Sequence, residues 1–136
     1  AVNASLLICQ MTQSYKLQGK NLADAMRDLY AEHGYWLNRT VSVSYPGAEG
    51  AAAMAAIMER LRAEAPSEVA DYEDAGTALP PANVVELRLA GGNKAIVRPS
   101  GTEPKIKLYV FAKDDTREGA EALLDSIETA GRKLLA

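Results

Sequence analysis

A polar segment, RPSGTEPK, interrupts two strand-like apolar runs near the end of the chain. Arg98 offers a planar fork of donors that matches phosphate or carboxylate, and Ser100 and Thr102 add hydroxyl groups. Gly101 allows a sharp turn in which successive backbone N–H groups face one point, and Lys105 adds a second positive charge. These residue types at this spacing predict a small cradle for an anion.

The remaining residues of this segment bear on how such a cradle would work. Pro99 and Pro104 lack N–H groups and stiffen the chain, which lowers the entropy lost when it closes around a ligand. Glu103 would repel an anion, so we expect its carboxylate to point away, to pair with Lys105 or Arg98, or to reach a polar part of the ligand. A rigid hairpin loop with an exposed arginine is the alternative, and residue types alone leave it open.

The composition places the chain among ordinary globular proteins. Of its 136 residues, 48% are apolar and 24% are charged. The net charge of -3 and the absence of a basic block argue against nucleic acid or an anionic membrane as a partner. The single cysteine, Cys9, fits a reducing compartment, so we expect a cytoplasmic protein. No apolar run approaches the roughly 20 residues of a membrane span.

Hydrophobic periodicity divides the chain into an all-helical start and a mixed remainder. Helices are predicted over 4–18 and from the N-cap Asn21 to a C-terminal cap at Gly34. The alternating run RTVSVSY predicts a strand near residue 40, and a third helix should cover 48–64. Because the chain enters a helical pattern at once, without a methionine, we expect a piece of a longer protein.

The second half of the chain predicts a small sheet. Strands are expected in VVELRLA, KAIVR and IKLYVFA, with a glycine turn at GGN, and a last helix should begin at Asp115 or Thr116. Val69 and Tyr72 are candidates for a short edge strand. Tight loops favour antiparallel neighbours, so the predicted fold is α+β. It has a small antiparallel sheet of about four strands, covered on one face by two helices and preceded by the two leading helices.

The segment RPSGTEPKIKLYV resembles the phosphate-binding loop of the alpha-D-phosphohexomutase family, the phosphoglucomutases and phosphomannomutases. In that family the loop lies in the fourth and last domain and holds the phosphate of the sugar that is not reacting. LLICQMTQSYKLQGKNLADAMRDLYAEHGYW is similar to the closing helices of the third domain, and SVSYPGAEGAAAMAAIMERLR to the opening of the fourth. The resemblance implies that residues 1–39 end the third domain and residues 40–136 form the fourth.

By that resemblance, each residue of the loop has an expected role. Arg98 clamps the phosphate oxygens, and Ser100 and Thr102 donate from their hydroxyls. The backbone amides of Gly101 and Thr102 also donate, and Lys105 strengthens the positive field. The implied ligand is a hexose phosphate.

The resemblance also implies the reaction of a parent protein in carbohydrate metabolism. That protein would be an isomerase, an intramolecular phosphotransferase that interconverts hexose 1-phosphate and hexose 6-phosphate through a phosphoserine and a bisphosphate. The family's phosphoserine loop, its Mg²⁺ loop and its sugar-reading loop are absent from this sequence. We therefore expect this chain to be a fragment that is inactive alone and has no catalytic residue, metal or cofactor of its own. The sequence does not indicate which sugar the parent protein binds.

Two other functions stay open: a stand-alone module that binds phosphosugars or other anions without chemistry, and a structural domain with an inert loop. The leading helices favour the fragment, because a stand-alone module has no use for half of another domain. In the parent they would pack with other mutase domains, and in isolation they could be buried in a dimer. Tyr35 and Trp36 are predicted to cover a domain junction.

Other candidate groups have plainer interpretations. His33 ends the second helix, where a cation favours the helix dipole, so a capping or surface role is expected. Cys9 lies in an apolar helix and is expected in the core. Asp71, Glu73 and Asp74 could ligate a hard cation, although a solvated acidic loop is the preferred interpretation.

Overall fold

A computed structural model of the chain describes residues 2–64, 69–71 and 82–136. Within these residues, four α-helices and five strands follow one another along the chain. In chain order they are α1 (Val2–Leu17), α2 (Leu22–His33), β1 (Tyr35–Ser44), α3 (Gly50–Glu64), β2 (Val69–Asp71), β3 (Val85–Arg88), β4 (Lys94–Pro99), β5 (Lys105–Asp114) and α4 (Arg117–Leu134).

The five strands form one antiparallel sheet in the order β1-β5-β4-β3-β2. Strands β2 to β5 follow each other as neighbours, and β1 lies at the opposite edge against β5. The turn between β3 and β4 holds Gly91 and Gly92 at positive φ, a conformation that glycine adopts without steric cost. The predicted α+β fold with an antiparallel sheet is confirmed, and β2 is a short edge strand that includes Val69, as the sequence suggested. Tyr72, the other residue suggested for that strand, lies outside the described residues.

Strand β1 is longer than its alternating sequence indicated. It begins at Tyr35, and its register with β5 runs from the pair Tyr35 and Asp114 to the pair Ser44 and Lys105. Gly34 joins α2 to β1 at a φ of 80°, where an added Cβ would lie 3.1 Å from the carbonyl oxygen of Asp114. The strand start predicted near residue 40 was wrong because pairing with β5, rather than the local pattern, extends the strand. The strand crosses the predicted domain division at 39 and 40 unbroken, and that division stays a prediction.

The hydrophobic core lies between one face of the sheet and the helices α3 and α4. Ile106, Leu108 and Val110 on β5 are fully buried, and Met58 of α3 and Leu124 of α4 belong to the same cluster. Alternate residues of a strand point to opposite faces of the sheet. The other side chains of β5 therefore lie on a second face, called here the open face, where they are partly exposed.

The two leading helices differ in structure: α2 has a capped N-terminus, and α1 is largely exposed along its length. Asn21 caps α2 by accepting hydrogen bonds from the amides of Ala23 and Asp24, and Asp24 accepts one from the Asn21 amide in return. This confirms the predicted cap. No residue of α1 is buried, and Cys9 is exposed. The core position predicted for Cys9 was wrong because α1 presents its apolar side chains to solvent. None of the helices in the described ranges is long and apolar enough to cross a bilayer.

Candidate functional site

Three backbone hydrogen bonds fix the loop between β4 and β5. The Ser100 amide donates to the Lys105 carbonyl at 2.8 Å, and the Lys105 amide donates to the Glu103 carbonyl at 2.8 Å. The amide of Tyr45, just after β1, donates to the Pro104 carbonyl, also at 2.8 Å. The loop is therefore tied to both of its own strands and to the end of a third, which gives it a defined position at the ends of the interior strands β4 and β5.

The hydroxyl of Ser100 marks a point on which backbone donors converge. The amides of Thr102 and Glu103 both donate to Ser100 Oγ, at 3.4 and 3.3 Å. These bonds are long, so an anionic acceptor could replace the hydroxyl with gain. Sequence reasoning gave the amide role to Gly101 and Thr102, and it missed the amide of Glu103. The role of the Glu103 amide can be recognised only from the geometry of the turn.

A cavity of about 340 Å³ opens at the loop on the open face. Four predicted site residues line it together: Arg98, Ser100, Gly101 and Thr102. The fifth, Lys105, is not among the described residues around it. The remaining lining residues are Pro99, Lys107 and Tyr109.

Lys107 and Tyr109 are the site residues that sequence reasoning missed. In the ladder between β4 and β5, Lys107 stands directly opposite Arg98, and Tyr109 stands opposite Ile96. Directly paired residues share a face of the sheet, so Lys107 and Arg98 point to the same side. The alternation of β5 already placed Lys107 and Tyr109 on one face, but only the pairing register brings them to Arg98.

Arg98 supplies a cation that is not neutralised. Its side chain is exposed, and its guanidinium makes no hydrogen bond or ion pair with any residue that the structure describes. The backbone of β4 is paired with β3 on one side and β5 on the other, so the base of the side chain is held in place. An arginine on a rigid strand with free donors suits a phosphate oxygen pair.

Lys105 is engaged by the acidic residue of the loop. Its Nζ lies 2.5 Å from Oε2 of Glu103. The hydrogen bond from Lys105 and its positive charge lower the pKa of Glu103, and the charge of Lys107 adds to this. Pairing with Lys105 is one of the positions expected for Glu103, and it keeps the carboxylate from competing for Arg98. The role of Lys105 in the phosphate field stays a prediction.

A second question for this chain is whether its side chains could hold a metal ion. Across residues 2–64, 69–71 and 82–136, no three His, Cys, Asp or Glu side chains come close enough together to hold a metal ion. Glu73 and Asp74, which the sequence grouped with Asp71 as a possible cation site, lie outside the described residues. The magnesium ion expected for a parent protein stays a prediction.

An aromatic group lies at the other end of the open face. Trp36 is 54% exposed, and Nζ of Lys113 lies 4.9 Å from the centroid of its ring. Its indole N–H donates to the carbonyl of His33 at 3.1 Å. The His33 side chain is itself exposed, in keeping with the surface role expected for it. The place of Trp36 in a domain junction stays a prediction.

Comparison with known proteins gives a consistent family. The model of the family "Phosphoglucomutase/phosphomannomutase, C-terminal domain" matches residues 46–128, more than half of the chain. A phosphoglucomutase of Staphylococcus haemolyticus is 32% identical over 137 residues, covering 87% of this chain and 25% of the relative. A probable phosphomannomutase of Haemophilus influenzae is 27% identical over 139 residues, covering 98% of this chain and 28% of the relative.

A solved structure agrees with the fold. It is the open form of the exocytosis-sensitive phosphoprotein pp63/parafusin, a phosphoglucomutase, from Paramecium, with a TM-score of 0.63 and 15% identity over 85% of this chain and 22% of that one. At that identity the match supports the fold alone. The chain spans about a quarter of the length of the curated relatives. With the family model matched across residues 46–128, this chain belongs to the family of phosphoglucomutase and phosphomannomutase C-terminal domains.

Proposed function

We propose that this chain is the part of a hexose phosphate mutase that holds the phosphate group remote from the reacting end of the sugar. The observation that carries the proposal is the unpaired guanidinium of Arg98, which shares one cavity with the hydroxyls of Ser100 and Thr102. Family membership supports this function over a stand-alone anion-binding module. Side chains whose donors are already paired with neighbouring residues could not bind an anion in this way.

A phosphate dianion in the cavity would meet donors on several sides. The Arg98 guanidinium can bind two oxygens at once, and the ammonium group of Lys107 approaches from the neighbouring strand. The amides of Thr102 and Glu103 can turn from Ser100 Oγ to a phosphate oxygen. The hydroxyl of Ser100 is then free to donate as well. The sheet holds the backbones of Arg98 and Lys107 in place, and backbone hydrogen bonds hold the loop, so little entropy is lost on binding.

This arrangement suits a reaction in which the sugar must bind in two orientations. In the proposed parent enzyme a phosphoserine donates a phosphoryl group to the substrate, and the bisphosphate reorients before the serine takes back the other group. The cradle must then accept a phosphate at either end of the sugar. Hydroxyl and arginine donors can adjust to the phosphate in either orientation of the sugar. Binding the remote phosphate also supplies energy for orienting the reacting end.

The other groups that this reaction needs belong, in our proposal, to other domains of the parent. These include the phosphoserine, the magnesium ion and the loop that reads the sugar, since nothing fitting a metal site occurs among the described residues. The chain packs against those domains in the proposed enzyme. We also propose a cytoplasmic location, because a chain with one unpaired cysteine fits a reducing compartment.

Titration of the chain with inorganic phosphate and glucose 1-phosphate, followed by NMR, tests the cradle. Arg98→Ala should weaken binding by about 1.5–3 kcal/mol, the range for hydrogen bonds to charged groups, which is roughly ten- to a hundredfold. Arg117→Ala is the control, because that arginine is exposed at the start of α4 and pairs with Glu121. Equal binding by the wild-type and Arg98→Ala proteins would contradict the assignment of Arg98 to phosphate binding.

A mutase assay separates the enzyme domain from a stand-alone binding module. The chain alone should show no turnover, and any turnover by it contradicts the proposal. In the parent protein, Arg98→Ala should raise KM for the hexose phosphate and lower kcat, because remote binding energy no longer orients the substrate. Unchanged kinetics in the parent would favour the module without catalysis.

A further inference from the structure

Tyr109 lines the phosphate cavity, but its side chain is not required for binding phosphate alone. Its side chain lines the cavity beside Lys107, and it is partly exposed on the open face. Its hydroxyl has no hydrogen-bond partner in the part of the chain that the structure describes. The donors for phosphate lie on the loop and on Arg98 and Lys107, so the aromatic ring is the largest apolar group among the described residues that line this cavity.

The size of the cavity leaves room for more than a phosphate group. Its volume of about 340 Å³ equals about eleven water molecules, at roughly 30 Å³ for each in the liquid. A phosphate group consists of one phosphorus and four oxygens and fills only part of that space. Because Tyr109 lines the same cavity, a group attached to the phosphate could occupy the remaining space beside it.

The strand register places Tyr109 at a suitable separation from the cradle. Tyr109 is two residues beyond Lys107 on β5, a step of about 7 Å along one face of a strand. It is also the diagonal neighbour of Arg98 across the ladder, a separation that aromatic and long side chains can span. A ring joined to a phosphate by an ester bond would thus reach from Arg98 to the Tyr109 ring.

We propose that the ring of Tyr109 is the platform on which the sugar ring of a bound phosphate ester lies. The residue then determines specificity, because it makes the site prefer a sugar phosphate to free phosphate. The negative face of an aromatic ring attracts the weakly positive C–H groups of a pyranose face. This inference rests on the proposed function and names a residue that recognises the sugar from the side of this chain.

Two ligands and two tyrosine variants test the platform. Tyr109→Leu should weaken binding of glucose 1-phosphate by about three- to tenfold, the range for aromatic contacts, and leave binding of inorganic phosphate unchanged within error. Tyr109→Phe should bind both ligands like the wild-type protein, because the ring is retained. Phe111→Leu is the matched control, since Phe111 lies on the same strand and face but outside the cavity.

The outcomes separate this inference from the proposal beneath it. If neither ligand binds the wild-type chain, both ideas fail together. If phosphate binds and depends on Arg98, but Tyr109→Leu binds glucose 1-phosphate as tightly as the wild type does, only the platform is overturned. Equal losses for both ligands in Tyr109→Leu, or a loss in Tyr109→Phe, would also overturn it. Thermal unfolding of each variant checks that the sheet is intact.

Discussion

Arg98 and Lys107 stand directly opposite each other on β4 and β5, and both side chains line one cavity. Like charges in direct cross-strand pairs destabilise a sheet by a few tenths of a kcal/mol up to about 1 kcal/mol. The free chain therefore bears a small electrostatic cost at this point. A bound dianion would remove it, so anion binding and the stability of the sheet should be linked.

Lys107→Gln tests that link. Without phosphate, we expect the variant to be as stable as the wild type or more stable by up to about 1 kcal/mol, because the repulsion with Arg98 is lost. Its affinity for phosphate should fall by about tenfold, since a charge-assisted hydrogen bond is removed. Urea unfolding with and without phosphate measures both effects.

Lys94→Gln is the matched control for Lys107→Gln. Lys94 lies on the same face, but its Nζ is 3.5 Å from the buried carboxylate of Glu86. Its loss should therefore destabilise the chain while leaving phosphate affinity unchanged. A Lys107→Gln protein that is less stable and binds phosphate normally would contradict the linkage.

Asn93 should be a sensitive position in the turn between β3 and β4. It is buried, its Oδ1 accepts from the Lys113 amide at 2.7 Å, and its Nδ2 donates to the Ala90 carbonyl at 2.8 Å. Asn93→Ala should cost about 1–3 kcal/mol, because two part-buried backbone groups lose their partner. Asn38→Ala, at an exposed position of β1, should cost far less. Urea unfolding gives both values, and equal costs would refute the argument.

Gly50 should not accept a side chain. It is the first residue of α3, and an added Cβ would collide with the backbone carbonyl oxygen of Tyr45. Gly50→Ala should therefore destabilise the chain by about 1–3 kcal/mol, since a backbone atom must move. At Gly101 a Cβ meets no described atom within 4 Å, so Gly101→Ala should stay within about 0.5 kcal/mol of wild type. A stable Gly50→Ala protein, judged by thermal unfolding, would show that the β1–α3 connection adjusts.

Stability should fall in acid through the ion pairs that join α4 to β1. Hydrogen bonds from Arg39 and then from Arg132 lower the pKa of Glu128. A carboxyl group with a lowered pKa in the folded state stabilises the fold above its unfolded pKa of about 4.3. That contribution is lost as the pH falls through the lower, folded value. We therefore expect unfolding free energy to decline below about pH 5.

Arg39→Gln isolates this contribution. It should lower the urea midpoint at pH 7 and flatten the decline between about pH 5 and pH 3, because the lowered pKa of Glu128 depends first on Arg39. Arg117→Gln removes an exposed pair within α4 and should change the midpoint less. Urea midpoints at several pH values measure both variants. Parallel pH profiles for the wild type and Arg39→Gln would refute the role of Glu128.

Local sequence signals predicted most of the fold. The Asn21 cap, the turn glycines at 91 and 92 and the alternation of Ile106, Leu108 and Val110 each depend on neighbours in the chain, and the structure confirms all three. The α+β class follows from the order of these elements.

What the sequence did not predict depends on contacts between distant segments. The start of β1 at Tyr35 and the place of Lys107 beside Arg98 are both set by pairing with other strands. Cys9 has the pattern of a core residue, but burial needs a covering surface as well as an apolar stripe. Pairing register and covering surfaces are tertiary properties, which periodicity within one segment does not specify.

The pairing of β1 with β5 has a consequence for how the domain is made. Tyr35 leaves the ribosome well before its partner Asp114, by roughly 4 to 16 seconds at about 5–20 residues per second. Until then β1 is a ten-residue strand without its neighbour, open to wrong pairing. Exposed polar residues keep the unpaired strand hydrated, among them Arg39, Thr40 and Ser42. Nascent chains that stop before Lys105 would therefore expose β1 to chaperones and proteases.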